Sequence, residues 1–255
     1  MTDRSAAMAP TPRPTVLSKV AAIFEALAPL GVAGVSQLSR ETGLAKGTVF
    51  RLATELVELG LLERAGDGYR LGPKLFELGS LVPGRRQFRD AALPFLEDLS
   101  QATDQTVHLA VLDGSDVMYV ERLVGERSAE VPSAVARRLP LNCTATGKCL
   151  LAFGPTALTE QVLDRPLVAL TAGSIVDTER LTEELDRVRA TGLATEIGEV
   201  VEGVSSVAAP VWEVGDRLAG AISATGPIDD FETDRVAALV RLAASGLSHR
   251  LGARR

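Results

Sequence analysis

A chain of 255 residues has room for one large domain or two ordinary ones, either with a substantial core. Its 46% hydrophobic and 24% charged content describes a soluble globular protein, and no run approaches the roughly 18 apolar residues of a membrane-spanning helix. The net charge of −6 is uneven: residues 1–80 hold nine Lys and Arg against eight Asp and Glu, and residues 81–255 hold 18 against 25. An acidic body with a near-neutral segment remains compatible with DNA, provided the basic side chains share a face.

Residues 1–14, rich in Ala and Pro and without an apolar signal core, read as a disordered arm. From Thr15 to Leu27, Val16, Val20, Ile23, Phe24 and Leu27 form a helical stripe. A short helix over Val35 to Thr42 stops at Gly43. Lys46 to Leu59 then carries Val49, Leu52, Ala53 and Leu56 at i, i+3, i+4 and i+7, with Gly60 as its stop. Leu61 to Arg64 and Tyr69 to Leu71 flank the turn sequence AGDG as a hairpin. Three helices and a hairpin in this order predict a winged helix-turn-helix over residues 15–72. The pattern is helical from Pro73 to Gly79 and again from Arg85 to Thr103, so a linker helix is expected over 73–90, hinged at Val82 to Gly84.

The remainder, 91–255, alternates strands and helices. TVHLAVLDGSDVMYVERL predicts a hairpin turning at Gly114-Ser115, and VSSVAAPVWEVGDRLAGAISATG a second turning at Gly215-Asp216. Helices are expected near Ala145 to Ala152, Thr156 to Leu163, Leu181 to Ala190 and Val236 to Leu247. The fold class is α+β, around an antiparallel sheet.

The outer face of the Lys46–Leu59 helix carries the first candidate site. Gly47, Phe50, Arg51 and Thr54 share that face, with Lys46 and Thr48 in the first turn. A recognition helix enters the major groove through its N-terminal half, where Lys46, Gly47, Thr48, Phe50 and Arg51 lie, while Glu55 and Glu58 follow behind. A solvated amphipathic helix is the ordinary fate of such a pattern. Here a hairpin bearing Arg64, Tyr69 and Arg70 follows, placed to make positioning contacts with the DNA backbone.

CTATGKCLLAF imitates a phosphate-binding loop, but Asn142 replaces the first Gly and Cys149 follows Lys148, so nucleotide hydrolysis is not expected. Thr144 to Gly147 opens a helix whose N–H groups can either be capped or bind an anion. Ser223 and Thr225, two apart on a strand, face one side. GVSSV lacks the last Gly of a nucleophile elbow, and no motif places His108 or His249 beside Ser205 or Ser206. Cys143 and Cys149 read as buried thiols, and Glu183 and Glu184 beside Arg187 (Glu183 at i, i+4) as a solvated salt-bridge face. No enzyme activity, metal or cofactor is expected.

VLSKVAAIFEAL, GVSQLSRETGLAKGTVFRLATELVELGLLER and YRLGPKLFELGS resemble the DNA-binding half of IclR-type transcriptional regulators. VHLAVLDGSDVMYVERL, RRLPLNCTATGKCLLAF and EVVEGVSSVAAPV resemble the same family's ligand-sensing half, and the match runs in order from Thr15 to Leu247. The resemblance implies an N-terminal winged helix-turn-helix joined to a C-terminal GAF-like effector domain. It implies a cytoplasmic homodimer or homotetramer that binds operator double-stranded DNA. The effector it implies is a small organic acid or aromatic metabolite, with repression favoured over activation. By motif match, Ala145 and Thr146 would supply backbone contacts to the effector, and Glu196, Ser206, Ser223 and Thr225 would line its pocket. Ser206 stands where many members have a cysteine. Glu196 would repel a second carboxylate beside it unless a cation or proton intervened. The competing expectation is a small-molecule-binding or enzymatic domain whose N-terminal helices serve assembly.

Overall fold

The apolar stripe of the first segment becomes helix α1 (Val16–Leu30) in the computed structural model, which describes residues 15–81, 85–129, 131–135 and 137–254. The expected arm at 1–14 and hinge at Val82 to Gly84 lie outside the described residues. Thr15 caps α1, its hydroxyl accepting the Ser18 N–H at 3.2 Å. Helix α2 (Val35–Thr42) ends at Gly43, whose φ of 69° is left-handed and favours a residue without a Cβ. Helix α3 (Lys46–Glu58) buries Val49, Leu52, Ala53 and Leu56. Strands β1 (Leu62–Ala65) and β2 (Gly68–Leu71) pair antiparallel around Gly66-Asp67, and helix α4 (Pro73–Ser80) follows.

The core of this N-terminal unit gathers Ile23, Leu27, Leu38, Val49, Leu52, Leu56 and Leu62 around Tyr69. Tyr69 is 2% exposed, and its backbone exchanges two 3.0 Å hydrogen bonds with Ala33, tying the hairpin to the segment between α1 and α2. The expectation that Tyr69 contacts DNA is therefore corrected. In the paired hairpin its ring turns into the core, while the neighbouring Arg70 turns out.

A second compact unit begins at Gly84. The two helical stretches expected on either side of the hinge are α4 and α5 (Arg85–Thr103), and α5 runs on past residue 90 to carry Ala92, Leu96 and Leu99 into the second unit's core. Six antiparallel strands form one sheet in the order β5-β4-β3-β8-β7-β6. They are β3 (Thr106–Asp113), β4 (Asp116–Leu123), β5 (Arg138–Pro140), β6 (Ala194–Ile197), β7 (Val204–Glu213) and β8 (Arg217–Pro227). The second hairpin turns at Gly215 and Asp216, both at positive φ (77° and 55°), the geometry that follows the strands' twist. Strands β5 and β6 had no sequence signal. Each is an edge strand of three or four residues, too short to display a period.

Strand alternation divides the sheet. Val107, Leu109, Val207, Ile222 and Ala224 pack with α5 and with α9 (Thr233–Arg250), through Val236, Val240 and Leu247. Ala208 and Ala221 belong to the other core, with Leu150 and Leu151 of α6 (Ala145–Phe153), Leu158 of α7 (Thr156–Leu163), and Leu181, Leu185 and Val188 of α8 (Thr178–Thr191). The fold is α+β.

Tyr69→Ala removes the largest buried side chain of the N-terminal core, so that unit should lose roughly 3–5 kcal/mol of stability. Urea unfolding of the full chain, followed by circular dichroism, checks this through an early transition absent from Tyr69→Phe.

Candidate functional site

Alternation along α3 leaves Lys46, Gly47, Phe50 and Arg51 exposed and Thr48 half-buried. Phe50 is 53% exposed, which is costly for an aromatic ring in water unless something else covers it. A Cβ on Gly47 would meet nothing within 4 Å, so its backbone lies open to close approach. On the hairpin, Arg64 is exposed and its guanidinium lies 5.3 Å from the centroid of the Tyr69 ring. Arg70 is exposed and pairs with Glu63 at 2.7 Å. Such an exposed pair is weak and does not prevent Arg70 from meeting a phosphate.

The second site lies on the α6 side of the sheet. In the strand register His108 is opposite Ser223, Ser206 is opposite Thr225 and Glu196 is opposite Ser206. Residues paired across antiparallel strands share a face, so these side chains converge. The start of α6 closes over them around a narrow cavity of about 20 Å³, room for about one water. Ala145, Thr146, Glu196, Ser206, Ser223 and Thr225 all border it. So do His108, Tyr119, Ser133 and Val200, which sequence reasoning missed. For His108 a signal existed: it lies two residues from Thr106 and Ala110 on a strand whose intervening residues are apolar.

Polar groups in the cavity are held by one another. Ser206 and Thr225 hydroxyls lie 2.9 Å apart. His108 Nε2 lies 2.8 Å from Ser133 Oγ, and its Nδ1 lies 3.4 Å from Ser223 Oγ. Burial first, then the nearby Arg122 charge, lowers the His108 pKa to about 3. That imidazole is neutral at physiological pH and too weak a base to activate either serine. Burial, and then the Glu196 charge, pushes the Tyr119 phenol up to about 12. Burial also raises the Glu196 carboxyl, although its Oε1 accepts the Glu199 and Val200 N–H groups at 2.6 and 3.1 Å.

The α6 start is both capped and part of the wall. Thr144 Oγ1 accepts the Gly147 N–H at 2.9 Å, while Ala145 and Thr146 border the cavity. A Cβ on Gly147 would run into the Leu141 carbonyl oxygen and Thr144 Oγ1, so this close turn requires glycine. Thr146 Oγ1 is buried beside the Tyr119 phenol, whose upward shift that contact partly offsets. Lys148 does not resemble a phosphate-loop lysine in its surroundings: it is 1% exposed and its Nζ lies 2.5 Å from Glu199 Oε1 and 3.7 Å from Glu184. Arg187 pairs with Glu184 at 2.5 Å. Of the two carboxylates expected beside Arg187, Glu184 makes the pair, and it is partly buried near Lys148 rather than on a solvated face.

Cys143 and Cys149 are free and buried, and burial raises both thiols. No group of three metal-ligating His, Cys, Asp or Glu side chains occurs among the described residues, nor any helix long and apolar enough to cross a membrane.

Two family models match the chain: the IclR helix-turn-helix domain over residues 16–66, and the bacterial transcriptional regulator IclR C-terminal domain over 82–249. The regulator XynR of Escherichia coli is 34% identical over 224 residues, 86% of this chain and 89% of its own. KipR of Bacillus subtilis is 31% identical over 223 residues, 86% of this chain and 89% of its own. An IclR homologue from Microbacterium hydrocarbonoxydans, solved in complex with 4-hydroxybenzoate, superposes with a TM-score of 0.84 at 29% identity, covering 93% of this chain and 99% of that one. The chain belongs to the IclR family of DNA-binding transcriptional regulators.

Because His108 is neutral when folded but titrates near 6.5 when unfolded, folding excludes a proton between those values. Its stabilising effect is complete above about pH 6.5 and is lost as pH falls toward 3. At pH 5 the cost is about 2 kcal/mol, from roughly 1.4 kcal/mol per pH unit. His108→Gln should therefore lose less stability than the native chain between pH 7.5 and pH 5 in urea unfolding.

Proposed function

We propose that this IclR-family regulator binds operator DNA through α3 and the β1–β2 hairpin, and that a small organic acid or aromatic metabolite in the cavity changes its operator affinity. The observation that carries the reading is convergence: six residues far apart in the chain, from Ala145 to Thr225, border one narrow, polar-lined cavity, which has to widen to admit an effector. Lys46, Gly47, Thr48, Phe50 and Arg51 enter the major groove, Arg51 as the base reader and Phe50 against a thymine methyl. Arg64 and Arg70 hold the flanking backbone. A homodimer or homotetramer presents two or more such helices to a repeated half-site. The chain acts in the cytoplasm and represses.

In the cavity, an effector carboxylate lies against the Ala145 and Thr146 backbone at the positive end of α6, and hydroxyls of Ser206, Ser223 and Thr225 take its other polar groups. The 4-hydroxybenzoate in the Microbacterium homologue supports an aromatic acid of about that size. Effector and operator bias the same equilibrium between conformers, so each changes the other's affinity. We assign no catalytic role: the cavity's histidine is a neutral hydrogen-bonding group, and Ser206 bonds Thr225 rather than His108.

Arg51→Ala should weaken operator binding by roughly tenfold or more and relax sequence preference, since a base contact is worth about 1–3 kcal/mol. Arg70→Ala should weaken binding to all sequences and reduce the salt slope by about one. Fluorescence anisotropy on operator and scrambled duplexes at several salt concentrations separates the two. Ser223→Ala combined with Thr225→Val should abolish effector response while sparing operator affinity, read in the same titration with 4-hydroxybenzoate present.

A further inference from the structure

The effector cavity is bordered by many polar groups but by no lysine or arginine among the described residues. Among the described residues Glu196 is the one acid there, and it is 1% exposed. Both backbone N–H groups that it accepts fall on Oε1, and the Ser206 hydroxyl also favours its charged form. The groups that face it from other elements carry no compensating charge. Ser206 on β7 and Thr225 on β8 are hydroxyls bonded to each other, and Thr146 on α6 is a third. His108 on β3 and Tyr119 on β4 stay neutral across the physiological range. Lys148, on α6, is spent on Glu199, and Glu199 itself repels charge on Glu196. Arg122 on β4 is opposite His108 in the strand register and is the cation nearest these groups, but it does not border the cavity and its charge is felt at His108.

A carboxylate that enters this space meets one source of positive potential, the start of α6, and a second carboxyl within the same small cavity. Two such groups cannot both stay ionised when they share a dry site. We infer that Glu196 determines the charge class of the ligand: the cavity takes a compound with one carboxyl group, admitted together with one proton from solvent that the ligand and Glu196 carboxyls share, and it turns dianions away. This rests on the reading of the cavity as an effector site. No bond other than that to the proton is made or broken. Burial already disposes Glu196 to hold the proton, because its carboxyl is raised before any ligand arrives.

The sign follows. Binding an anion beside Glu196 raises its pKa further, so affinity is full below the free-protein value. It declines, by up to tenfold per pH unit, as pH rises through the interval between the free and bound values. Glu196→Gln keeps an oxygen for the Glu199 and Val200 N–H groups and loses the titration.

Isothermal titration of the full chain with benzoate, and with terephthalate as the dianion, tests this between pH 6 and 8.5 in buffers of different ionisation heat. The native protein should take up a proton with benzoate, approaching one at the alkaline end, and should not bind terephthalate. Glu196→Gln should bind benzoate without proton uptake, at an affinity independent of pH and at pH 8 about ten- to a hundredfold tighter than native, as expected for removing a like charge about 6 Å away at an effective dielectric constant near 20. It should also gain terephthalate. Benzoate binding by the native protein with a flat profile and no proton uptake overturns the inference. A slope that survives Glu196→Gln but disappears in Glu199→Gln overturns it too, by moving the proton to Glu199. Benzoate binding by neither the native protein nor Glu196→Gln at any pH instead overturns the acid-binding reading of the cavity.

Discussion

The C-terminal unit depends on burying both faces of its central strands. Along β3, Val107 and Leu109 enter one core while His108 points to the opposite side; along β8, Ile222 and Ala224 do the same while Ser223 and Thr225 turn with His108. One face is apolar throughout and sealed by α5 and α9. On the other, a block of polar side chains would be expensive to bury unless each found a partner, at roughly 1–3 kcal/mol for a group left unpaired. The sheet resolves this by pairing polar residue with polar residue across strands, and by leaving a cavity between them and α6. A one-residue slip of β8 would send Ser223 and Thr225 into the apolar core. The cavity is therefore a consequence of register.

The cavity's open end is fastened by a ring of contacts around the edge strand β6. Lys148 of α6 binds Glu199 in the loop after β6, Glu196 on that strand binds the Glu199 N–H, and Arg187 of α8 reaches both Glu184 and Thr195. A buried ion pair is weak evidence for net stability, but removing one partner costs about 3–5 kcal/mol because the other charge is stranded. What the ring fixes is position: it holds the start of α6 and the Glu196 carboxyl at a set spacing, on two elements joined by no backbone hydrogen bonds.

Legibility in the sequence followed length and period. Helices with three or more turns, and hairpins with Gly-Ser or Gly-Asp turns, were readable to within a few residues, as with α5 (Arg85–Thr103) and the β7–β8 turn. Edge strands β5 and β6 were not, because three or four residues carry no alternation. Tyr69 was misassigned because an aromatic beside two arginines looks like a surface contact, and only the Ala33 bridge shows that its side of the hairpin faces inward. That Ser223 and Thr225 share a face was legible from period alone, and their place at the cavity came only through motif resemblance. Ala145, Thr146, Glu196 and Ser206 were legible only through motif resemblance. His108 escaped because no spacing in the chain announces that its strand will pair with β8. Lys148 was rejected as a phosphate lysine for sound reasons, but its true partner lies 51 residues away, beyond the reach of any local pattern.

The family supplies two binding functions to one chain, and what makes them a regulator is a coupling free energy between them. That coupling is reciprocal: if an effector changes operator affinity by some factor, operator must change effector affinity by the same factor. The most direct measurement is this closed cycle on the full chain. Operator affinity is determined with and without saturating 4-hydroxybenzoate, and ligand affinity with and without saturating operator duplex, at one salt concentration and pH. The account predicts two equal factors, in the range of about 5 to 150 typical of such coupling. Ligand that binds the cavity while leaving operator affinity unchanged would contradict it.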